Sequence, residues 1–236
     1  MSDVLTYYDD QSGERISLSA ADLGVWAART ADLLTGECRL RKGDRAGVLL
    51  PPHWLTAVVL LGTWSAGISV DYRGYATAGL GEPGGPYDVV FASPDRIRSI
   101  LEDVPEANWR FAVGDIGEAV PEGYLDFVAL AEQRDAVTPA YQEILGSDAA
   151  SVDGTTYGAW EELARGTAEA MGVRPGDRVL IDAAEHDHPV KWLLAPMTVG
   201  ASVVLCANLD PALVASRVEA EGITRVLGSA PATSRL

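Results

Sequence analysis

The sequence predicts an α/β protein made of two similar helix–strand subdomains with mostly parallel sheets. Three observations carry that expectation. Helical apolar stripes alternate with short apolar runs along the chain. Runs such as Val203-Val204-Leu205 lack the polar alternation of a half-solvated strand, so they suit strands covered on both faces. The order of elements in the first half also returns in the second. With 236 residues, 47% of them hydrophobic and 22% charged, the chain has ordinary globular composition and ample material for a core.

In chain order, Leu23, Trp26, Ala27, Thr30, Leu33 and Leu34 recur at helical spacing behind Ser19, with Asp22 three positions later as in a capping box, which predicts a helix over 20–35. Arg45 to Leu50 reads as a buried strand, and Trp54 to Trp64, almost wholly apolar, as a buried helix that Gly67 ends. Ile68 to Val70 starts another strand. The glycine-rich loop Ala76 to Pro86 reads as a flexible lid or a solvated turn. Tyr87 to Ala92 is a strand, and Ser93-Pro94-Asp95 supplies a cap, a first-turn proline and an acid for a helix over 94–103. The stretch from about 115 to 150, with Pro121, Pro139 and the amphipathic Leu125 to Arg134, reads as a connector. Beyond it come a helical stripe from Trp160 to Met171, a strand Val179 to Ala183, a helix 189–198, the strand around Val203, a helix starting at Asp210-Pro211 and a strand Ile223 to Gly228.

The recurrence is specific at the residue level. Gly43-Asp44-Arg45 and Gly176-Asp177-Arg178 stand 133 positions apart, and at the same shift Leu60 and Leu61 fall on Leu193 and Leu194, Gly67 on Gly200, Ser69 on Ser202 and Val70 on Val203. No gap is needed. These matches predict an internal repeat, with a first subdomain and connector over 1–140 and a second subdomain over 141–236.

Charge and cysteine usage exclude several function classes. The chain carries 18 basic and 34 acidic residues, a net charge of −16, so it is acidic, and a polyanion meets net repulsion and no counterion-release gain. Nucleic acid and membrane are therefore not expected partners. No apolar window reaches the length of a membrane span, and Met1-Ser2-Asp3-Val4 lacks the basic and apolar regions of a signal peptide, which predicts a cytoplasmic protein. Cys38 and Cys206 stand far apart and outside any metal-ligand spacing, so buried free thiols are expected. There is no Gly-x-Ser-x-Gly, no cysteine beside a histidine and no Gly-x-Gly-x-x-Gly after a strand, which removes the starting residue of hydrolase and dinucleotide readings.

Leu40 to Val70 and, more clearly, Pro175-Gly176-Asp177-Arg178-Val179-Leu180, Pro196, Gly200-Ala201-Ser202-Val203-Val204-Leu205, Asp210-Pro211 and Ile223-Thr224 resemble phrases of the N-terminal domain of adenylate-forming, AMP-binding enzymes, which include acyl-CoA synthetases. The resemblance covers nearly the whole chain, which is under half the length of such enzymes and looks like a short actinobacterial-type chain. It implies two similar α/β subdomains with parallel sheets, as the internal comparison suggests.

The family's phosphate loop reads (Ser/Thr)-Gly-Thr-Thr-Gly-x-Pro-Lys-Gly. The nearest segment here, Asp153-Gly154-Thr155-Thr156-Tyr157-Gly158, runs into a helix without Pro-Lys-Gly, so Thr155 and Thr156 read first as helix caps and second as a reduced anion site, against which Asp153 repels. The other polar cluster, Glu185-His186-Asp187-His188-Pro189, follows a strand where the resemblance implies a histidine near the acyl and nucleotide pocket. A metal at His186 and His188 lacks a second ligand cluster, so none is expected. Gly154, Thr155, Thr156, His186 and His188 are thus the candidate ligand-binding residues, with no catalytic residue assigned and no cofactor named. The expected function is that of a truncated acyl-CoA synthetase-like pseudoenzyme, a non-catalytic binding or assembly module. The alternative is an enzyme or carrier that binds a nucleotide, CoA or acyl ligand in a reduced pocket between subdomains. Only Lys42 and Lys191 are lysines, neither on the phosphate loop, and 45 residues follow Lys191, too few for the family's C-terminal catalytic domain. A homodimer is expected, because a family domain cut short exposes sheet edges and apolar surface; a protein partner is the other candidate.

Overall fold

The computed structural model describes residues 3–74, 85–100, 104–114, 119–138 and 143–228. Its strands are β1 Asp3–Asp9, β2 Glu14–Ser19, β3 Arg45–Leu49, β4 Ser69–Tyr72, β5 Tyr87–Ala92, β6 Ala107–Ala112, β7 Leu125–Asp126, β8 Arg178–Asp182, β9 Ser202–Ala207 and β10 Arg225–Leu227. Its α-helices are α1 Ala20–Asp32, α2 Trp54–Ser65, α3 Pro94–Arg98, α4 Phe127–Glu132, α5 Tyr157–Ala170, α6 Ala195–Thr198 and α7 Val214–Glu221. They form an α/β fold with two mostly parallel sheets. One has the order β4-β3-β5-β6-β7 and is parallel throughout. The other has the order β10-β8-β9-β1-β2 and is parallel except for the β1–β2 hairpin.

The hairpin is the main departure from expectation. Residues 3–19 were not anticipated as strands, yet β1 lies beside β9 with Leu5 opposite Val203 and Tyr7 opposite Leu205. Leu5, Thr6 and Tyr7 are buried in succession, as a strand paired on both sides and covered on both faces must be. By contacts the chain groups into two compact units. One compact unit comprises residues up to 20, 52–54 and from 160 onward; the other comprises 21–51 and 55–159. Residues up to 20 group with the C-terminal part of the chain because β1 pairs with β9.

Most other elements follow the sequence, with local differences that have causes. The helix from Ala20 widens into a π-helical turn over Leu33–Glu37. Val190–Leu194 does the same before α6, where Pro196 has no N–H to give the carbonyl four residues back and the Ala195 N–H reaches Val190 O instead. The helix at Pro94 stops at Arg98, with Ser99 extended and Ile100 97% exposed, so no apolar face remains to hold another turn; residues 101–103 lie outside the described residues. So do 76–84 of the glycine-rich loop. Part of the connector is structured, with β7 leading into α4, whose cap Asp126 accepts the Ala129 N–H.

In the unit holding β3 to β7, Phe91, Phe111 and Phe127 form a buried aromatic cluster with centroids 5.4 to 6.3 Å apart. There α1 and α2 approach so closely that a Cβ on Gly62 would lie 2.4 Å from the Thr30 Cβ. The turns entering β3 and β8 carry the same hydrogen bonds. Arg41 N–H donates to the Asp44 carboxylate and Arg174 N–H to that of Asp177. Gly43 donates to Gly67 O and Gly176 to Gly200 O, while Ser69 donates to Asp44 O and Ser202 to Asp177 O. Gly43 and Gly176 both have positive φ, +93° and +80°, where a side chain is strained.

Candidate functional site

The first group of candidate residues, Gly154, Thr155 and Thr156, forms the turn that opens α5. Gly154 has φ +91° and donates to Ser151 O, closing the turn. Thr155 O accepts the N–H groups of Ala150 and Ser151 at 2.9 and 3.1 Å. The Thr155 N–H is held by the Asp153 carboxylate at 2.9 Å, and that bond, with one from the Thr155 hydroxyl, keeps the Asp153 carboxyl below the usual carboxylate range. Thr156 caps the helix by accepting the Ala159 N–H at 3.2 Å. Tyr157 N–H goes to Asp148 O and Gly158 N–H to Gly146 O.

The N–H groups of Tyr157, Gly158 and Ala159 are the ones a helix start offers to an anion. Here all three are taken by the protein itself, and the carboxylate of Asp153 takes the donor that precedes them. The Asp153 carboxylate also sets a negative charge at this turn, which repels an incoming anion. The residues at this turn therefore do not fit a nucleotide phosphate.

The second group, His186 and His188, lies on the loop beyond the carboxyl end of β8, the end of a parallel sheet at which ligands of open α/β folds bind. His188 Nδ1 accepts the Val190 N–H at 3.3 Å, which puts its proton on Nε2, and its ring stacks on Trp160 at 5.9 Å. The Trp192 indole N–H donates to Asp187 O and pins the loop. Burial lowers the pKa of both histidines, Lys191 adding to the effect, so both imidazoles are neutral at pH 7. His186 and Lys191 border a groove of about 540 Å³ along one face of α5. Gly154, Thr155 and Thr156 belong to one compact unit and the two histidines to the other.

Sequence reasoning missed a network on the unit that holds the hairpin. Glu221, at the end of α7, accepts from the Tyr8 hydroxyl, from Arg15 at 2.9 Å and from Arg178. These bonds outweigh burial and hold its carboxyl at about 2. Arg217 lies over the Tyr8 ring, 4.1 Å from its centroid, and pairs with Asp10 at 2.6 Å. Nothing local marks these partners, because they meet only once β1 joins the C-terminal sheet. Cys206 and Cys38 are buried free thiols, pushed up by burial to about 11 and about 12 respectively. No group of three His, Cys, Asp or Glu able to hold a metal occurs among the described residues. No helix among them is long and apolar enough to cross a membrane.

No protein-family model matches the chain. It is 35% identical over 237 residues to a TIGR03089 family protein from Mycobacterium tuberculosis, covering 94% of this chain and 90% of that one. Among solved structures it is similar to an acyl-CoA synthetase from Brucella canis, with a TM-score of 0.70 and 19% identity over 95% of this chain and 44% of that one. It is also similar to the N-terminal domain of FACL13 from Mycobacterium tuberculosis, with a TM-score of 0.64 and 19% identity over 93% of this chain and 57% of that one. At this identity the likeness shows the fold, which is that of the N-terminal domain of acyl-CoA synthetases. The chain spans less than half of the Brucella enzyme.

Proposed function

The chain belongs to the TIGR03089 family, and from that premise we propose that it keeps the acyl-CoA synthetase N-terminal fold as a non-catalytic binding or assembly module. One observation carries this reading. The turn nearest in sequence to the family's phosphate loop is sealed by Asp148 O, Gly146 O and the Thr156 hydroxyl, with the Asp153 carboxylate bonded beside it. Neither lysine serves there: Lys42 pairs with Asp148 at 2.6 Å, and Lys191 follows the His188 loop. A thermal-shift panel tests it. ATP and AMP at millimolar concentration are expected to leave the melting temperature unchanged, whereas a ligand at 100 times its Kd adds about 2.7 kcal/mol and a clear upward shift. An upward shift with ATP that Asp153→Ala enlarges contradicts the reading.

His186 and His188 favour a second reading, a ligand site on the β8 loop that does not use the sealed turn. The neutral His186 imidazole, whose Nδ1 has no partner among the described residues, offers a hydrogen bond without charge, suited to a polar uncharged group of a CoA or acyl ligand. CoA protection of both histidine resonances in an NMR titration supports it; unmoved resonances reject it.

We further propose that the two halves are an internal repeat and that the chain forms a homodimer. The paired hydrogen bonds at a shift of 133 residues support the repeat. A crystal structure in which residues 20–70 and 156–203 do not superpose removes it. The homodimer is supported by an exposed apolar groove, and light scattering that gives a 25.0 kDa monomer at all micromolar concentrations removes it.

A further inference from the structure

We propose that the groove along α5 is the contact face between two copies of this chain, joined about a two-fold axis. The inference rests on the homodimer reading above and assigns it a surface. Three observations lead to it.

The first is shape. The floor of the groove is Leu163, Gly166, Thr167, Ala170 and Met171, an apolar strip along the helix, and Leu163 is 52% exposed at one end of it. A two-fold contact is isologous, so one surface must supply both the projection and the recess that receives it. Leu163 is the projection and the small residues Gly166 and Ala170 are the recess.

The second is the glycine. Gly166 lies within α5, where glycine is less favourable than alanine by about 1 kcal/mol. A Cβ added there meets nothing within 4 Å. Packing inside the chain gives no reason for its absence, in contrast to Gly158 of the same helix, whose added Cβ would lie 3.1 Å from Gly146 O. The space Gly166 leaves, like that beside Gly24 of α1, admits close approach of a second backbone from outside.

The third is charge. Glu162 and Lys191 both border this groove, and among the described residues neither has an ion-pair partner. A two-fold contact sets Glu162 of each copy towards the partner's Lys191, making two pairs from groups that are otherwise unused. In a chain of net charge −16, a groove bordered by one lysine and one glutamate offers two copies complementary charge.

Sedimentation velocity on the full chain and four variants tests the proposal. The wild type is expected to dimerise at micromolar concentration. Leu163→Glu is expected to weaken the dimer by about tenfold or more in Kd, with an unchanged circular dichroism spectrum. Glu162→Lys and Lys191→Glu are each expected to weaken it, and the double exchange to restore it. Gly166→Ala is the sharpest variant: it is expected to raise the melting temperature of the dilute monomer by about 2 to 4 °C while weakening the dimer. A monomeric wild type overturns both this inference and the homodimer reading. A dimer indifferent to Leu163→Glu, or to Gly166→Ala, leaves the homodimer reading standing and overturns this face.

Discussion

Glu221 shows how one carboxylate ties together three strands of a sheet. Three donors from β1, β2 and β8 converge on it, and its folded pKa of about 2 lies below the ordinary glutamate value. Because the folded value is depressed, its stabilisation is fully present above the unfolded pKa near 4.5 and is lost as pH falls through about 2. Glu221→Gln should therefore lower the urea midpoint at pH 7, and the gap from wild type should close between pH 5 and pH 2. A gap that persists at pH 2 assigns the loss to packing instead. The thiols give a second check at this scale. With Cys206 and Cys38 buried and raised to about 11 and about 12, native protein at pH 7.5 should leave both unreacted with a disulfide reagent, and denaturant should release both. Rapid reaction of either in the native state contradicts the burial that raises them.

At the scale of elements, the α1–α2 contact makes the clearest demand. Gly62→Ala places a methyl group 2.4 Å from the Thr30 Cβ, so the helices must separate or shift, and a loss of about 1 to 3 kcal/mol is expected in chemical denaturation. Thr156→Ala removes the α5 cap and should lose about 1 kcal/mol. No loss in the first case means the helices are further apart than described. The same elements show what could be read in advance. The strands β3, β5, β8 and β9 were legible because covered strands are continuous apolar runs, and α1 because its stripe and cap stand together. The hairpin β1–β2 was not, although Leu5 and Tyr7 alternate with Thr6, because Thr6 is itself buried beneath the Arg178 guanidinium. β6 was not legible either: Asn108 and Arg110 interrupt its apolar run, and its pairing with β5 fixes it as a strand. At the candidate site, the capping role of Thr156 was legible from its place before a stripe. That Asp148 O and Gly146 O seal the remaining donors was not, because the segment 146–150 carries no periodic signal.

The molecule keeps the fold of an acyl-CoA synthetase N-terminal domain, and we propose that it does so without nucleotide-phosphate chemistry. Such chemistry needs preorganised donors where charge develops, and removing one typically lowers a rate by about a hundredfold or more. At the start of α5 the three N–H groups are already bonded and an acid stands beside them. ATP–pyrophosphate exchange is the most direct measurement, run on the pure chain with a panel of fatty and aromatic acids. Exchange is expected to stay at background with every acid. Exchange above background that Thr155→Ala with Thr156→Ala abolishes, in a variant that keeps its fold, contradicts it.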